Sequence, residues 1–365
     1  MSEPGAAGTG PPLIVELDAL RDWATGVLAK AGLSEADARP VAASLAFAES
    51  RGVATHGFLR LPTYVERISA GGISATAQVG IVADHGALVV VDANHGPGAS
   101  TGLVGTDLAV ERAREFGVGC VIARNANHFG ASAFFTNRIA DAGLLGLAIC
   151  NTEAVMSAPF GGRPVLGTNP IAVAVPMPEA TRPQLDMATT TVSQGRLIMA
   201  EQAGEPIPLG WAVDEAGRPT TSASAGLRGA LLPSGGPKGF GLAFAVDALL
   251  ALGGAEVSPG VAALNGDSAT HQRLGHLFLA IRADGADGLG AYQARITQLV
   301  DAVHGSGLDG PPPMVPGEPE LGRVRECDGR VHLRDSLMDA LRPLAVATGL
   351  PLPGPATTSS DVAPF

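Results

Sequence analysis

Residues 117–152 read GVGCVIARNANHFGASAFFTNRIADAGLLGLAICNT. Apolar, β-type runs at 117–125 and 144–152 flank a segment of helical character at 131–143. Short apolar runs bounded by turn formers are strand signals, and their alternation with helices defines the α/β class. The first run ends in a polar cluster, NANHFGAS, just before the helix begins near Ser132. A strand end that opens into a helix is where α/β proteins bind anionic groups.

The same alternation extends outward. Upstream, ALVVVD (87–92) is β-rich, and an Ala-rich helix follows over about 99–115. Downstream, NPIAVAVP (169–176) and PQLDMATT (183–190) add strands. PKGFGLAFAVDALLAL (237–252) reads as a glycine-opened helix, GHLFLAIRA (275–283) as a strand and 335–349 as the last helix. Near the N-terminus, Leu20, Trp23, Ala24, Val27, Leu28 and Ala31 form one helical face that Gly32 ends. Ser34 caps a second helix, with Asp37 three residues on. No fixed-period repeat is present. The Pro-rich GPPPMVPGEPE (310–320) is a loop between the last helices. No linker splits the chain. The expected division is a central β-rich domain at 119–281 that interrupts a helical domain built from 13–118 and 282–350. Residues 1–12 and 351–365 read as tails.

Composition narrows the function. Of 365 residues, 46% are hydrophobic and 16% charged, which suits a large buried core and argues against disorder. The net charge of -11 and the absence of a basic block disfavour nucleic acid and anionic membrane as partners. No apolar run reaches membrane-span length, and the first residues do not read as a signal peptide. Cys120, Cys150 and Cys327 are too widely spaced for a disulfide framework or a zinc site, so no metal is expected. A cytoplasmic protein is expected.

One apparent dinucleotide fingerprint fails. Gly305, Gly307 and Gly310 match G-x-G-x-x-G, yet the pattern follows a helical segment and runs into prolines. The fingerprint needs a strand before it and a helix after it. The polar groups gather elsewhere: Thr55, His56, Arg60 and Tyr64 within ATHGFLRLPTYVERI (54–68), His128 in NANHFGAS, GTNP (167–170), Asp186 in LDMATT, and Lys238 in GGPKGFG. Thr55 and His56 are expected on a turn, with Arg60 and Tyr64 one turn apart on the next helix. Each group also has a structural reading. Arg60 can pair with Glu66, Asp186 can cap a turn, and GGPKG can be a loop leading into a helix.

Taken in order, THGFLRLPTYVERI, NANHFGAS, GTNPIAVAVP, LDMATT and GPKGFGLAFAVD resemble the malate/L-lactate dehydrogenase family, over roughly residues 13–350. That family includes 2-hydroxyacid dehydrogenases and reductases of cyclic imino acids. The resemblance implies a non-Rossmann α/β fold whose helical domain serves substrate and dimerisation and whose central domain serves the cofactor, a homodimer, and NAD or NADP in a cleft beside a small carboxylate substrate. It assigns His56 as proton donor and acceptor, Thr55 as the neighbouring hydroxyl in place of the usual serine, and Ala54 where an acid is common. Arg60 matches the residue that grips the substrate carboxylate, with Tyr64 lining the pocket. His128, Phe129, Gly130, Ala131 and Ser132 fall beside the nicotinamide and substrate, His128 also in a catalytic role. Asp186, Met187, Ala188, Thr189, Pro237, Lys238, Gly317 and Glu318 fall on cofactor-contacting segments. The implied reaction interconverts a 2-oxo and a 2-hydroxy acid; the alternative is reduction of a Δ1-piperideine- or Δ1-pyrroline-2-carboxylate. A ligand-binding protein without chemistry is disfavoured by the joint presence of His56, Arg60 and Lys238.

Overall fold

The computed structural model describes residues 13–159 and 161–356. The expected tail at 1–12, and 357–365 of the other, lie outside the described residues. The chain opens with β1 (Leu13–Glu16), α1 (Leu17–Lys30), α2 (Glu35–Ser50) and α3 (Leu61–Ala70). β2 (Gly80–Asp84), β3 (Leu88–Asp92), α4 (Gly98–Phe116), β4 (Val118–Ala126), α5 (Ala133–Asp141) and β5 (Leu144–Cys150) follow. Next come the short β6 (Met156–Ser157) and β7 (Pro164–Leu166), then β8 (Ile171–Ala174), β9 (Gln184–Met187) and α6 (Gln194–Ala203). β10 (Ala212–Val213), α7 (Ala223–Arg228), β11 (Ala230–Leu231), α8 (Pro237–Ala251) and β12 (Leu274–Arg282) lead to the C-terminal part. That part is α9 (Leu289–His304), α10 (Glu318–Cys327), β13 (Arg330–Leu333) and α11 (Asp335–Thr348).

The centre is a sheet of 7 strands in the order β2-β3-β4-β12-β5-β8-β9. Only β3 and β4, joined through α4, pair in parallel; the other neighbours are antiparallel. A dinucleotide fold of the Rossmann type needs a parallel sheet, so this topology excludes it. The glycines at 305, 307 and 310 lie in irregular chain after α9, as their prolines imply. β4 and β5 are not neighbours: β12, distant in sequence, lies between them and pairs with both.

Strand residues alternate between two cores. Val121, Ala148, Phe278 and Ala280 pack with Ala109 and Ala113 of α4 and with Phe135 and Ile139 of α5. Ile122, Ile149 and Leu277 point the other way, against Val246 and Leu250 of α8. Both chain ends build the helical side. β1 pairs with β13, and α11 packs on α1 and α3. Ser34 caps α2 as expected, its hydroxyl accepting from the Asp37 N–H at 3.2 Å. A smaller sheet, β10-β11-β6-β7, carries α6 and α7 on its own core.

Two expectations change here. A boundary at 118 cuts the central sheet, because β2 and β3 precede it and β3 pairs with β4. Residues 351–356 are tied down rather than a tail: Leu352 packs on the core, and the Ala356 N–H donates to the Ile14 carbonyl at 2.7 Å.

α4 begins where the chain leaves no room. A Cβ on Gly98 would lie 2.2 Å from the Asn127 carbonyl oxygen and 2.4 Å from that of His128. Those atoms are backbone and cannot rotate away. Gly98→Ala should therefore destabilise the protein by about 1–3 kcal/mol, the usual cost of overpacking. An unchanged urea midpoint would show that α4 shifts freely.

Candidate active site

A cleft of about 1420 Å³ runs between the helical side, the ends of β4, β5 and β9, and the smaller sheet. One wall is a pair of 3-10 turns, Ala54–His56 and Phe58–Arg60. The Glu49 carboxylate, near the end of α2, accepts from the Phe58 N–H at 3.1 Å. A Cβ at Gly57 would sit 2.1 Å from that carboxylate, so a larger residue after His56 would displace Glu49 from the Phe58 N–H. Arg60 closes the second turn and does not share a helix with Tyr64, which lies in α3. The expected single helical face is thus replaced by a tighter 3-10 path.

Thr55 ties the wall together. Its hydroxyl lies 3.1 Å from His56 Nδ1, and its carbonyl accepts from Arg60 Nε at 2.6 Å. Arg60 Nη1 donates to Asn265 Oδ1 at 3.4 Å. The first turn of α6 leans on this group: a Cβ on Gly195 would lie 2.9 Å from Thr55 Cγ2 and 3.8 Å from Arg60 Nη2.

His128 faces His56, ring centroids 5.5 Å apart and nearly parallel at 23°. Its Nδ1 lies 2.6 Å from the Tyr64 hydroxyl. Its backbone N–H donates to Gln272 Oε1 at 3.0 Å. Tyr64 is therefore behind His128, buried, and not on the cleft lining. Phe129 is buried below, stacked on Phe135 at 4.7 Å and His276 at 4.3 Å. Gly130 has a φ of 88°, and a Cβ there would sit 2.4 Å from Ser44 Oγ, which itself donates to the Phe129 carbonyl at 2.9 Å. Both facts demand glycine.

Asp186 answers the strand-to-helix expectation from inside the chain. Its Oδ2 accepts from the Ala133 N–H, the first residue of α5, at 2.8 Å. The anion at that helix start is thus the protein's own carboxylate. Crowding in the cleft raises its pKa to about 6, the Ala133 N–H opposes this, and the Glu320 carboxylate adds to it. The side chain stays open to the cleft, so water there offsets part of the desolvation.

The imidazoles shift the other way. Burial lowers His56 to about 4, with help from the Arg60 charge. Burial also takes His128 well below the ordinary value, assisted by His56, Arg60 and His276. Both rings are neutral at pH 7 in the free protein. Burial raises the Tyr64 phenol, so it keeps its proton.

The cleft gathers most of the expected residues: Thr55, His56, Arg60, His128, Phe129, Gly130, Ala131, Ser132, Asp186, Met187, Ala188 and Gly317 all line it. Thr189 is buried beside it, its N–H and hydroxyl both donating to the Thr168 carbonyl at 2.9 and 2.8 Å. Pro237 and Lys238 lie exposed at the start of α8, off the lining. Glu318 is committed elsewhere, bonded to His304 Nε2 at 2.8 Å and the Val315 N–H at 2.9 Å. The sequence reading missed Thr152, Glu153, Asn265 and the first turn of α6 on the lining, and Gln272 behind it. Glu153, a lone acid just past an apolar strand, carried a readable signal; Asn265 and Gln272 carried none.

A family profile described as malate/L-lactate dehydrogenase matches residues 15–342. An L-sulfolactate dehydrogenase of Methanocaldococcus jannaschii is 36% identical over 329 residues, 89% of this chain and 94% of that protein. A Δ1-pyrroline-2-carboxylate/Δ1-piperideine-2-carboxylate reductase of Pseudomonas aeruginosa is 39% identical over 234 residues, 64% of this chain and 70% of that one. The solved sulfolactate dehydrogenase of M. jannaschii superposes with a TM-score of 0.86 at 32% identity, covering 93% of this chain and 98% of its own. Fold and site together define a nicotinamide-dependent oxidoreductase outside the Rossmann class. The chain belongs to the malate/L-lactate dehydrogenase family.

His276, under Phe129, is fully buried, and among the described residues neither ring nitrogen has a partner in full hydrogen-bond geometry, although the Asn127 backbone is near enough to oppose the loss of its charge weakly. Burial lowers its pKa from 6.5 to about 3. The unfolded chain therefore binds a proton below about pH 6.5 that the folded protein refuses, and stability falls as pH drops through that range. His276→Phe keeps the stack and removes the proton. Its urea midpoint should fall less than the wild type's between about pH 7 and 5. Asp186 and Glu49 are shifted upward and act in the opposite sense, so the readout is the difference between variant and wild type. Equal falls would refute this account.

Proposed function

We propose that the protein interconverts a small 2-oxo acid and its 2-hydroxy acid, with NAD or NADP held in the cleft and His56 moving the proton. The observation that carries this reading is one wall that presents an imidazole and a guanidinium side by side, both held by Thr55. The volume of about 1420 Å³ exceeds the roughly 300–1,000 Å³ of ordinary small-ligand sites, leaving room for a dinucleotide and an acid together. Asp186, Met187, Ala188, Gly317 and the His128–Ser132 loop would hold the cofactor, with Thr189 fixing the strand behind them. Bound there, the nicotinamide supplies or takes the hydride at the substrate C2.

The side chains do the rest. Arg60 grips the substrate carboxylate with its free N–H groups, which fixes the angle of the C2 carbonyl. Thr55 occupies His56 Nδ1 and leaves Nε2 for the substrate oxygen. His128, steadied by Tyr64 and Gln272, forms the opposite side. Neutral His56 is ready as a base for alcohol oxidation. In reduction it must first gain a proton. A carboxylate arriving at Arg60 cancels one of the two causes that hold its pKa down.

That neutrality supports a second reading, reduction of a cyclic imino acid. An iminium substrate arrives already protonated and needs no acid from His56. The two readings separate in His56→Ala. With a 2-oxo acid the turnover should fall about 100-fold or more, the scale of a lost general acid. With Δ1-piperideine-2-carboxylate the loss should be smaller. Unchanged turnover of both substrates would remove His56 from the mechanism. Lys238 and Glu318, off the lining or already bonded, are proposed only as outer contacts of the cofactor.

The same reading includes a homodimer in the cytoplasm. α8 is apolar on its outer face too, with Leu242, Phe244 and Leu249, and Leu252 at its C-cap, exposed by 42%, 63%, 45% and 72%. A helix apolar all round belongs inside a larger core. This favours the central sheet side for dimerisation, where the sequence had suggested the helical part; that part would then serve mainly the substrate. The free Cys120, Cys150 and Cys327 suit a reducing compartment. Phe244→Glu combined with Leu249→Glu should shift the protein from dimer to monomer in light scattering; an unchanged mass would move the interface elsewhere.

A further inference from the structure

We propose that Glu153 selects the substrate: it favours a 2-oxo or 2-imino monocarboxylate that presents an N–H or O–H donor or a positive charge beyond its carboxylate, the iminium of a cyclic imino acid included, and it rejects a second anion. The proposal rests on the reading above that the cleft takes such an acid at Arg60.

Glu153 lines the same cleft as Arg60, Thr152, Leu264 and Asn265. It stands just past β5, and the chain there is held firmly. Asn151 is fully buried; its Nδ2 donates to Asp247 Oδ1 at 2.8 Å and to the Glu256 carbonyl at 2.7 Å. Its Oδ1 accepts from the Gly275 N–H at 2.8 Å. The next residue is held as well. The Thr152 N–H donates to Asn169 Oδ1 at 3.1 Å, and its hydroxyl accepts from the Thr168 N–H at 2.9 Å. The carboxylate cannot swing its backbone out of the cleft without breaking buried hydrogen bonds.

The opposite side of this acid is equally fixed. Arg67 is fully buried in α3, and its guanidinium donates to the carbonyls of Leu264, at 3.3 Å, Asp267, at 3.2 Å, and Thr270. It thereby holds the loop that brings Asn265 to Arg60 and the Leu264 N–H toward Glu153. Arg60 and Arg67 face the carboxylate from beyond ion-pair distance, so among the described residues it has no paired cation. Burial raises its pKa, and these groups pull it back.

The consequence follows from charge. An acid held at Arg60 extends the rest of its chain along a wall where the fixed ionisable group is a carboxyl. A donor or a cation there completes that carboxyl. A second carboxylate or a sulfonate meets a like charge where water is scarce, and such repulsion is a specificity device. Arg196 on the first turn of α6 also lines the cleft, but it is exposed, so solvent screens its charge.

The test is steady-state kinetics of wild type and Glu153→Gln with pyruvate, oxaloacetate and Δ1-piperideine-2-carboxylate. Wild type should prefer the two monocarboxylates to oxaloacetate. Glu153→Gln should raise the ratio of kcat/KM for oxaloacetate over pyruvate by about tenfold or more, and lower the ratio for the imino acid over pyruvate by a similar factor. Arg196→Ala should leave both ratios within about twofold. Unchanged ratios in Glu153→Gln, or a wild type that prefers oxaloacetate, overturn the proposal while leaving the oxidoreductase reading intact. No turnover of any of the acids by wild type overturns that reading and the proposal with it. Where Glu153→Gln does not fold, Glu153→Asp, which withdraws the charge by one methylene, should move both ratios in the same directions by about threefold.

Discussion

Strand β12 is the constraint on which the remaining architecture depends. It hydrogen-bonds β4 on one edge and β5 on the other, and it is buried on both faces through most of its length. Without it, the strands that carry His128 and Glu153 have no common edge. The chain leading into β12 is also a cleft wall. Asn265 reaches Arg60, and Gln272 holds the His128 backbone. Pairing of one strand therefore sets the spacing of groups from three distant parts of the sequence.

The second organising fact is how few charges the interior tolerates and how each is answered. Arg67 is answered by backbone carbonyls, Asp186 by a helix amide, and Arg182 by Asn137 and Asp141. The histidines are answered differently: they give up their protons. A buried charge costs far more than a buried neutral ring. The price is a fold that grows less stable as acid forces those rings to charge.

The sequence made the local pieces legible and left the long-range ones dark. Helices α1, α2, α4, α5, α8 and α11 and the main strands were visible because their periodicity and caps are local signals. The polar positions that line the cleft were visible for a similar reason, since Thr55, His56, Arg60, His128 and Asp186 interrupt apolar runs. What could not be read was pairing. Nothing in GHLFLAIRA says that it enters between β4 and β5; the run that became β3 was placed with the helical domain, and β2, its partner at the edge of the central sheet, was not read at all. The short strands β6, β7, β10 and β11 have too few residues for a period to register. Arg60 and Tyr64 were given one helix because i, i+4 spacing suggests it; the Glu49 carboxylate at Phe58 imposes a 3-10 path instead.

Thr55 shows why these scales must be considered together. Its hydroxyl contacts the proton carrier and its carbonyl contacts the guanidinium, so the two groups cannot move independently. The Arg60 charge depresses the His56 pKa, and the same charge is what an incoming carboxylate would neutralise. Binding and proton affinity are thereby linked through one electrostatic interaction. In the proposed mechanism an acid at Arg60 prepares His56 to carry a proton, whereas the free site keeps the ring neutral. That linkage needs no conformational change, because the groups are already held at bonding distance around one threonine.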